Sequence, residues 1–173
     1  MKTKNVFNLM NVISWVIFIG YCIKAGAILM VSFISLFGNK QAAENLYLGI
    51  DLSRLYEFNT SHYVIAVLVL VFITCLKAYI FFMLIRVFKF IDWDKPFNEE
   101  VVDMIFKISY VSLTIGMLGI FANSYYTWLR SKVFFSQIDV DTSAYIFMAG
   151  VVFIIASLFK RAIAIQQEND LTI

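Results

Sequence analysis

Four long apolar runs, at roughly 12–37, 63–88, 101–128 and 143–160, constrain this chain more than any single residue does. Each is long enough to cross ~30 Å of hydrocarbon, which takes about 20 helical residues. Lipid offers no partner to backbone N–H and C=O groups, so a crossing run must bond internally and become a helix. Apolar residues surround each run on all sides, as expected where lipid covers part of the surface. Only 15% of the residues are charged while 61% are hydrophobic, too few charges to dress a water-facing surface. The expected fold is all-α: an integral membrane four-helix bundle, with residues 1–173 forming one transmembrane domain.

Lys2 and Lys4 precede the first run, but that run is far longer than the ~7–15 residues of a signal-peptide core, so an uncleaved first span is expected. With four crossings, both termini and the middle loop share one side. That side carries Lys2, Lys4, Arg86, Lys89, Lys95, Lys160 and Arg161, against Lys40, Arg54, Arg130 and Lys132 opposite. Basic residues accumulate on the cytoplasmic side, which places both termini in the cytoplasm.

The longest connection, Gly38 to Ser61, is expected to hold a short interfacial helix over Gln41–Leu48, with Leu46, Tyr47 and Tyr56 as amphipathic anchors. Asn59, Thr60 and Ser61 are cap candidates for the second span and Asn98 for the third, where Glu99 and Glu100 favour the positive helix end. Pro96 breaks the helix between these spans. Trp93, Phe97, Trp128 and Tyr125/Tyr126 are expected at headgroup level. His62, the only histidine, is expected to be an interfacial hydrogen-bonded side chain.

The third span carries Ser109, Ser112, Gly116, Gly119 and Asn123 on one helix face, and the fourth has Gly150 and Ser157 seven residues apart. Small residues let helix backbones approach closely. Both stripes therefore read as packing seams, within one bundle or between protomers of a homo-oligomer.

The expected chemistry is sparse. The hydrophobic interior of the spans contains no carboxylate or histidine for a proton relay, and the spans hold no paired metal-ligand motif and no nucleophile beside a base. No catalytic residue, cofactor or metal site is expected. Cys22 and Cys75 read as two small buried hydrophobes. A net charge of +2 with scattered basic residues gives no footprint for direct nucleic-acid binding.

Lys24 and Lys77 stand apart. Each lies about 12 and 11 residues from the cytoplasmic end of its helix, ~16–18 Å along the axis, with no Asp or Glu within four residues. Lys107, by contrast, has Asp103 one turn away and lies near a helix end. A charge at mid-bilayer costs at least ~3 kcal/mol on insertion scales and marks a functional site by default. Three outcomes follow: a neutral lysine, an ammonium solvated by Tyr21, Thr74, Tyr79, Ser32 or Thr114, or a cavity for an anion such as a lipid phosphate or a partner's carboxylate. The candidate anion or lipid pocket is thus Lys24, Lys77, Tyr21, Thr74 and Thr114.

Lys95-Pro96-Phe97, Lys107-Ile108-Ser109-Tyr110 and the tail Phe159-Lys160-Arg161-Ala162 … Ile165-Gln166-Gln167-Glu168-Asn169-Asp170-Leu171-Thr172-Ile173 resemble a bacterial membrane family, domain of unknown function 2975. The tail is the most specific part, with Ala162 where glycine is usual. The first span, around Cys22-Ile23-Lys24-Ala25-Gly26-Ala27, and the stretches Leu46-Tyr47 and Asp51-Leu52-Ser53 are similar to members from Bacteroidetes-type bacteria. The resemblance implies four spans and, through a frequent gene neighbour, a small helix-turn-helix DNA-binding protein as partner.

Two functions are therefore expected as alternatives. One is a non-enzymatic membrane protein that regulates or senses through a cytosolic helix-turn-helix regulator, docked by Lys95, Pro96, Phe97, Gln166, Glu168, Asn169, Leu171 and Ile173. The other is a small transporter or lipid/anion-binding protein that uses its two mid-span lysines.

Overall fold

Two of the long helices begin where a polar side chain takes over their unpaired N–H groups. Asn59 accepts from Ser61 and His62, and Asn98 accepts from Glu100, which satisfies donors that a helix start leaves free. In the computed structural model, residues 2–91 and 98–170 are described. Their elements are α1 (Lys2–Phe37), a single 3-10 turn (Lys40–Glu44), α2 (Ser53–Phe58), α3 (Thr60–Phe90), α4 (Glu99–Arg130) and α5 (Thr142–Asp170). Four of these helices are long and apolar enough to cross a membrane, so the chain is an all-α four-helix membrane protein.

Packing follows chain order: α1 lies on α3, α3 on α4, and α4 on α5. Among the described residues α1 and α5 share no backbone packing, so the bundle is open along one seam. The Phe7 and Phe88 rings (5.0 Å apart), the Arg86–Glu100 ion pair (3.9 Å) and the Gln167–Glu99 hydrogen bond (3.1 Å) gather at the end that carries both termini.

The α4–α5 seam uses the expected small stripe. Ser109 donates to the Ala149 carbonyl at 2.8 Å. A methyl group on Gly116 would lie 2.5 Å from Ile146, and one on Gly119 would lie 2.5 Å from Thr142. Gly150 has nothing within 4 Å of such a methyl, and the Ser157 hydroxyl bonds its own helix at Phe153. The second stripe is therefore not a seam in this chain. On α5 that role falls to Ala149, Ala156 and Ile163, all buried and on a face displaced by one residue.

Asn123 shows where α5 starts. Its carboxamide donates to the Val140 carbonyl (2.8 Å) and accepts from the Val140 N–H (3.0 Å). Val140 thus sits well below the end of α4 at Arg130. Residues 131–141 run back along α4 for about two turns, ~10 Å, burying Phe135, Ile138 and Val140.

The connection at the same far end also departs from expectation. The helix expected at Gln41–Leu48 is a shorter turn at Lys40–Glu44 followed by α2. Leu46 is a core residue, 1% exposed, and Tyr56 packs edge-on against Tyr63. Tyr126, expected at headgroup level, is buried and donates to the Ala66 carbonyl at 3.0 Å. An aromatic near a helix end suits an interface or a core equally well by composition, and only packing separates the two.

Candidate functional site

The two mid-span lysines meet on the open side of the bundle. Lys77 rises from α3 with its ammonium 5.0 Å from the centre of the Tyr145 ring, at the start of α5. Lys24, from α1, stands 5.8 Å from the Tyr47 ring. Aromatic faces attract cations at such separations. The two ammonium groups are close enough to repel each other, while the Asp141 carboxylate attracts Lys77. Lys77, Asp141 and Tyr145 line one cavity of about 300 Å³ with Phe81 and Met148. Tyr21 packs against Phe81 (5.9 Å between ring centres), and its hydroxyl meets that of Tyr145.

Both lysines are half-buried. Their surroundings are three phenol groups, one carboxylate and apolar walls, an arrangement able to hold an anion. Among the described residues, no three His, Cys, Asp or Glu side chains converge on a point that could hold a metal.

Of the residues expected here, Tyr21, Lys24 and Lys77 come together. Thr74 and Thr114 do not join them. The Thr74 hydroxyl bonds the Leu70 carbonyl one turn back (2.7 Å), and that of Thr114 bonds Tyr110 (2.9 Å) on an exposed face. Ser32 likewise bonds Ile28 (2.6 Å), while Tyr79 lines an outward groove with Cys22, Cys75 and Phe82. Inside a helix a hydroxyl finds its own i−4 carbonyl before any distant partner.

Asp141, Tyr47 and Tyr145 lay outside the expected set. Asp141 ends the returning segment, and only the register fixed by Asn123 brings it to Lys77. One signal was present: Asp141 is the acidic residue just before the fourth apolar run.

Lys95, Pro96, Phe97, Leu171 and Ile173, like Trp93, lie outside the described residues. Gln166 and Glu168 are exposed on the last turns of α5. Asn169 belongs to that helix too, but its side chain lies outside the described residues. A second cavity of about 300 Å³ opens here between α4 and α5, lined by Glu99, Asp103, Lys160 and Gln167. Asp103 therefore borders Lys160 across that cleft. His62 bonds the Tyr125 hydroxyl at 2.8 Å through Nδ1 at the far end.

A family model described as "Protein of unknown function (DUF2975)" matches residues 47–173. The chain belongs to this family. No curated protein and no solved structure matches it. The stretch matched to DUF2975 contains Tyr47, Lys77, Asp141, Tyr145 and the whole tail, whereas Tyr21 and Lys24 precede it. The lining of the cavity thus comes from the matched stretch, and α1 adds Tyr21 and Lys24 beside it.

Proposed function

We propose that this protein is a non-enzymatic binding protein of the bacterial inner membrane, with cytoplasmic termini, whose cleft holds one anionic group between Lys24 and Lys77. The carrying observation is a charge count inside one site. Lys77 in the cavity wall and Lys24 beside it are close enough to repel each other, and a single carboxylate, Asp141, stands against them. One positive charge is left without a partner in a setting where an unpaired charge is costly. A monoanion neutralises it, and the phenols of Tyr21 and Tyr145 add hydrogen bonds that strengthen when the acceptor is charged.

The test is native mass spectrometry of the full chain released from detergent. A bound anionic molecule is expected on the unmodified protein. It should fall by about tenfold or more in Lys24→Met/Lys77→Met, the loss of at least one charge-assisted contact. Equal retention by the double variant overturns the reading.

A second reading has its own support. The Gln167–Glu99 bond joins the end of the tail helix to the start of α4, beside an acidic cleft with Glu99 and Asp103. This favours one composite docking face for a cytosolic helix-turn-helix regulator. Removal of residues 166–173 should abolish co-purification of such a regulator yet leave anion binding unchanged. Capture that survives the deletion defeats this reading.

A further inference from the structure

The cleft is roofed at its far end and open at its side. Ser136 N–H donates to the Asp51 carbonyl and Asp51 N–H donates to the Ser136 hydroxyl, both at 3.0 Å, while that hydroxyl reaches the Gly49 carbonyl at 3.3 Å. Residues 85 positions apart in sequence are thereby bolted together. On one side the arch continues to Tyr47, whose ring faces Lys24. On the other it runs through buried Phe135, Ile138 and Val140 to Asp141. The arch is held by these hydrogen bonds and by buried Leu46, Phe135, Ile138 and Val140, and it meets the cavity at Asp141.

The lateral wall is missing. The α1 and α5 backbones do not pack together, and the Tyr21–Tyr145 contact is what bridges them beside the cavity. These are also the two helices with the least buried spans, 17% and 11%, against 44% and 39% for α3 and α4. The gap therefore gives onto hydrocarbon, while the arch stands between the cavity and far-side water.

Building on the single-anion reading, we infer that the cleft is loaded sideways from the bilayer with the phosphodiester headgroup of an anionic phospholipid. The phosphodiester carries one negative charge, equal to the charge left over by Lys24, Lys77 and Asp141. It sits between the lysines, and the acyl chains stay in the gap between α1 and α5. A zwitterionic headgroup brings a positive charge back to the site and is disfavoured. A water-soluble phosphodiester such as glycerophosphoglycerol has the same single charge and recognition chemistry but must arrive through the roof.

The experiment places the full chain in phosphatidylcholine nanodiscs, with or without phosphatidylglycerol, and reads bound lipid by native mass spectrometry. Phosphatidylglycerol should be retained over phosphatidylcholine, with retention falling by about tenfold or more in Lys24→Gln/Lys77→Gln as well as in the Met pair. Glycerophosphoglycerol, the same phosphodiester without acyl chains, added to phosphatidylcholine discs should neither bind nor displace the lipid. Binding of glycerophosphoglycerol as tight as that of phosphatidylglycerol overturns lateral loading and leaves the single-anion reading standing. Retention of phosphatidylglycerol that ignores both lysine pairs overturns the two together. Should the Met pair fail to fold, the Gln pair decides.

Discussion

Helix α5 has two neighbours, and it treats them differently. Against α4 it comes so close that a single added methyl at Gly116 or Gly119 would strike Ile146 or Thr142 at 2.5 Å. Towards α1 it offers Tyr145, and across Lys77 it meets Tyr21 without any backbone packing. Lipid is as apolar as a leucine side chain, so nothing drives helices together in it except close packing and hydrogen bonds. A stripe of Ser and Gly permits that approach, whereas long polar side chains hold the helices apart and then require partners for their tips. The closed seam gives the bundle its stability, and the open one gives it a site.

The sharpest way to break this contrast is to overpack the closed seam. Gly119→Leu sets a branched side chain against Val140 and Thr142, both stiff at χ1 and both within 2.8 Å of where the new Cβ would sit. A loss of about 3 kcal/mol, or failure to fold, is expected. Gly150→Leu, on the same pair of helices but with nothing within 4 Å, should change stability by no more than ~0.5 kcal/mol. Thermal unfolding in one detergent checks both. Equal losses would show that the seam lies elsewhere.

Asn123→Ala comes next. It removes two hydrogen bonds that hold the Val140 backbone. The Val140 carbonyl keeps a bond from Thr142 N–H at 2.7 Å, so the orphan is chiefly the Val140 N–H. The expected cost is about 2 kcal/mol, the penalty for one buried unpaired donor plus a lost bond. Because Asn123 sets the register that carries Asp141 to Lys77, the variant should also weaken anion binding, which Gly150→Leu should not. An Asn123→Ala protein that binds normally would separate the seam from the site.

These residues also show what the sequence could and could not reveal. The α4 stripe was legible because small residues at helical spacing have one main use in lipid, and the caps at Asn59 and Asn98 because a local side chain satisfies a local donor. The Gly150/Ser157 stripe had the same composition but faces away from α4 within this chain, since seven-residue spacing alone cannot say which neighbour a helix turns towards. Lys24 and Lys77 announced themselves by cost. Their partner Asp141 did not, because its position depends on a backward run of chain held by Asn123, and on the Ser136–Asp51 bonds between distant loops. Nothing local encodes such a return. Likewise, hydroxyls that looked like pocket ligands, Thr74 and Thr114, were already committed to their own helices.

On the open side a substitution should act on function rather than on folding. Lys77→Met keeps a similar length and removes an ammonium that Lys24 repels. It forfeits the Asp141 attraction and the Tyr145 ring contact. Exchanging a partly buried ion for an apolar side chain is commonly neutral or stabilising, so a gain of about 1 kcal/mol is expected together with loss of the anion. Thermal unfolding beside native mass spectrometry reads both. A clear destabilisation would mean that Lys77 is a structural strut and that the open seam is as much part of the scaffold as the closed one.

The smallest effect tests the roof. Leu48 has φ +45 and Gly49 φ +88, and Ile50 N–H closes the turn on Tyr47 C=O at 3.1 Å, the geometry of a tight turn that favours Asn-Gly. Leucine resists this left-handed conformation, and Leu48 gains no packing there, being 85% exposed. Leu48→Asn should raise stability by about 0.5 kcal/mol. The change falls on the arch that carries Tyr47 to Lys24 and Gly49 to Ser136, and leaves the α4–α5 seam untouched. Hydrogen exchange should therefore slow at residues 45–52 and 133–138 while the protection of α4 and α5 stays the same. Slowing that spreads evenly through α4 and α5 would mean that roof and seam open as one unit, which would erase the distinction between the two sides of α5.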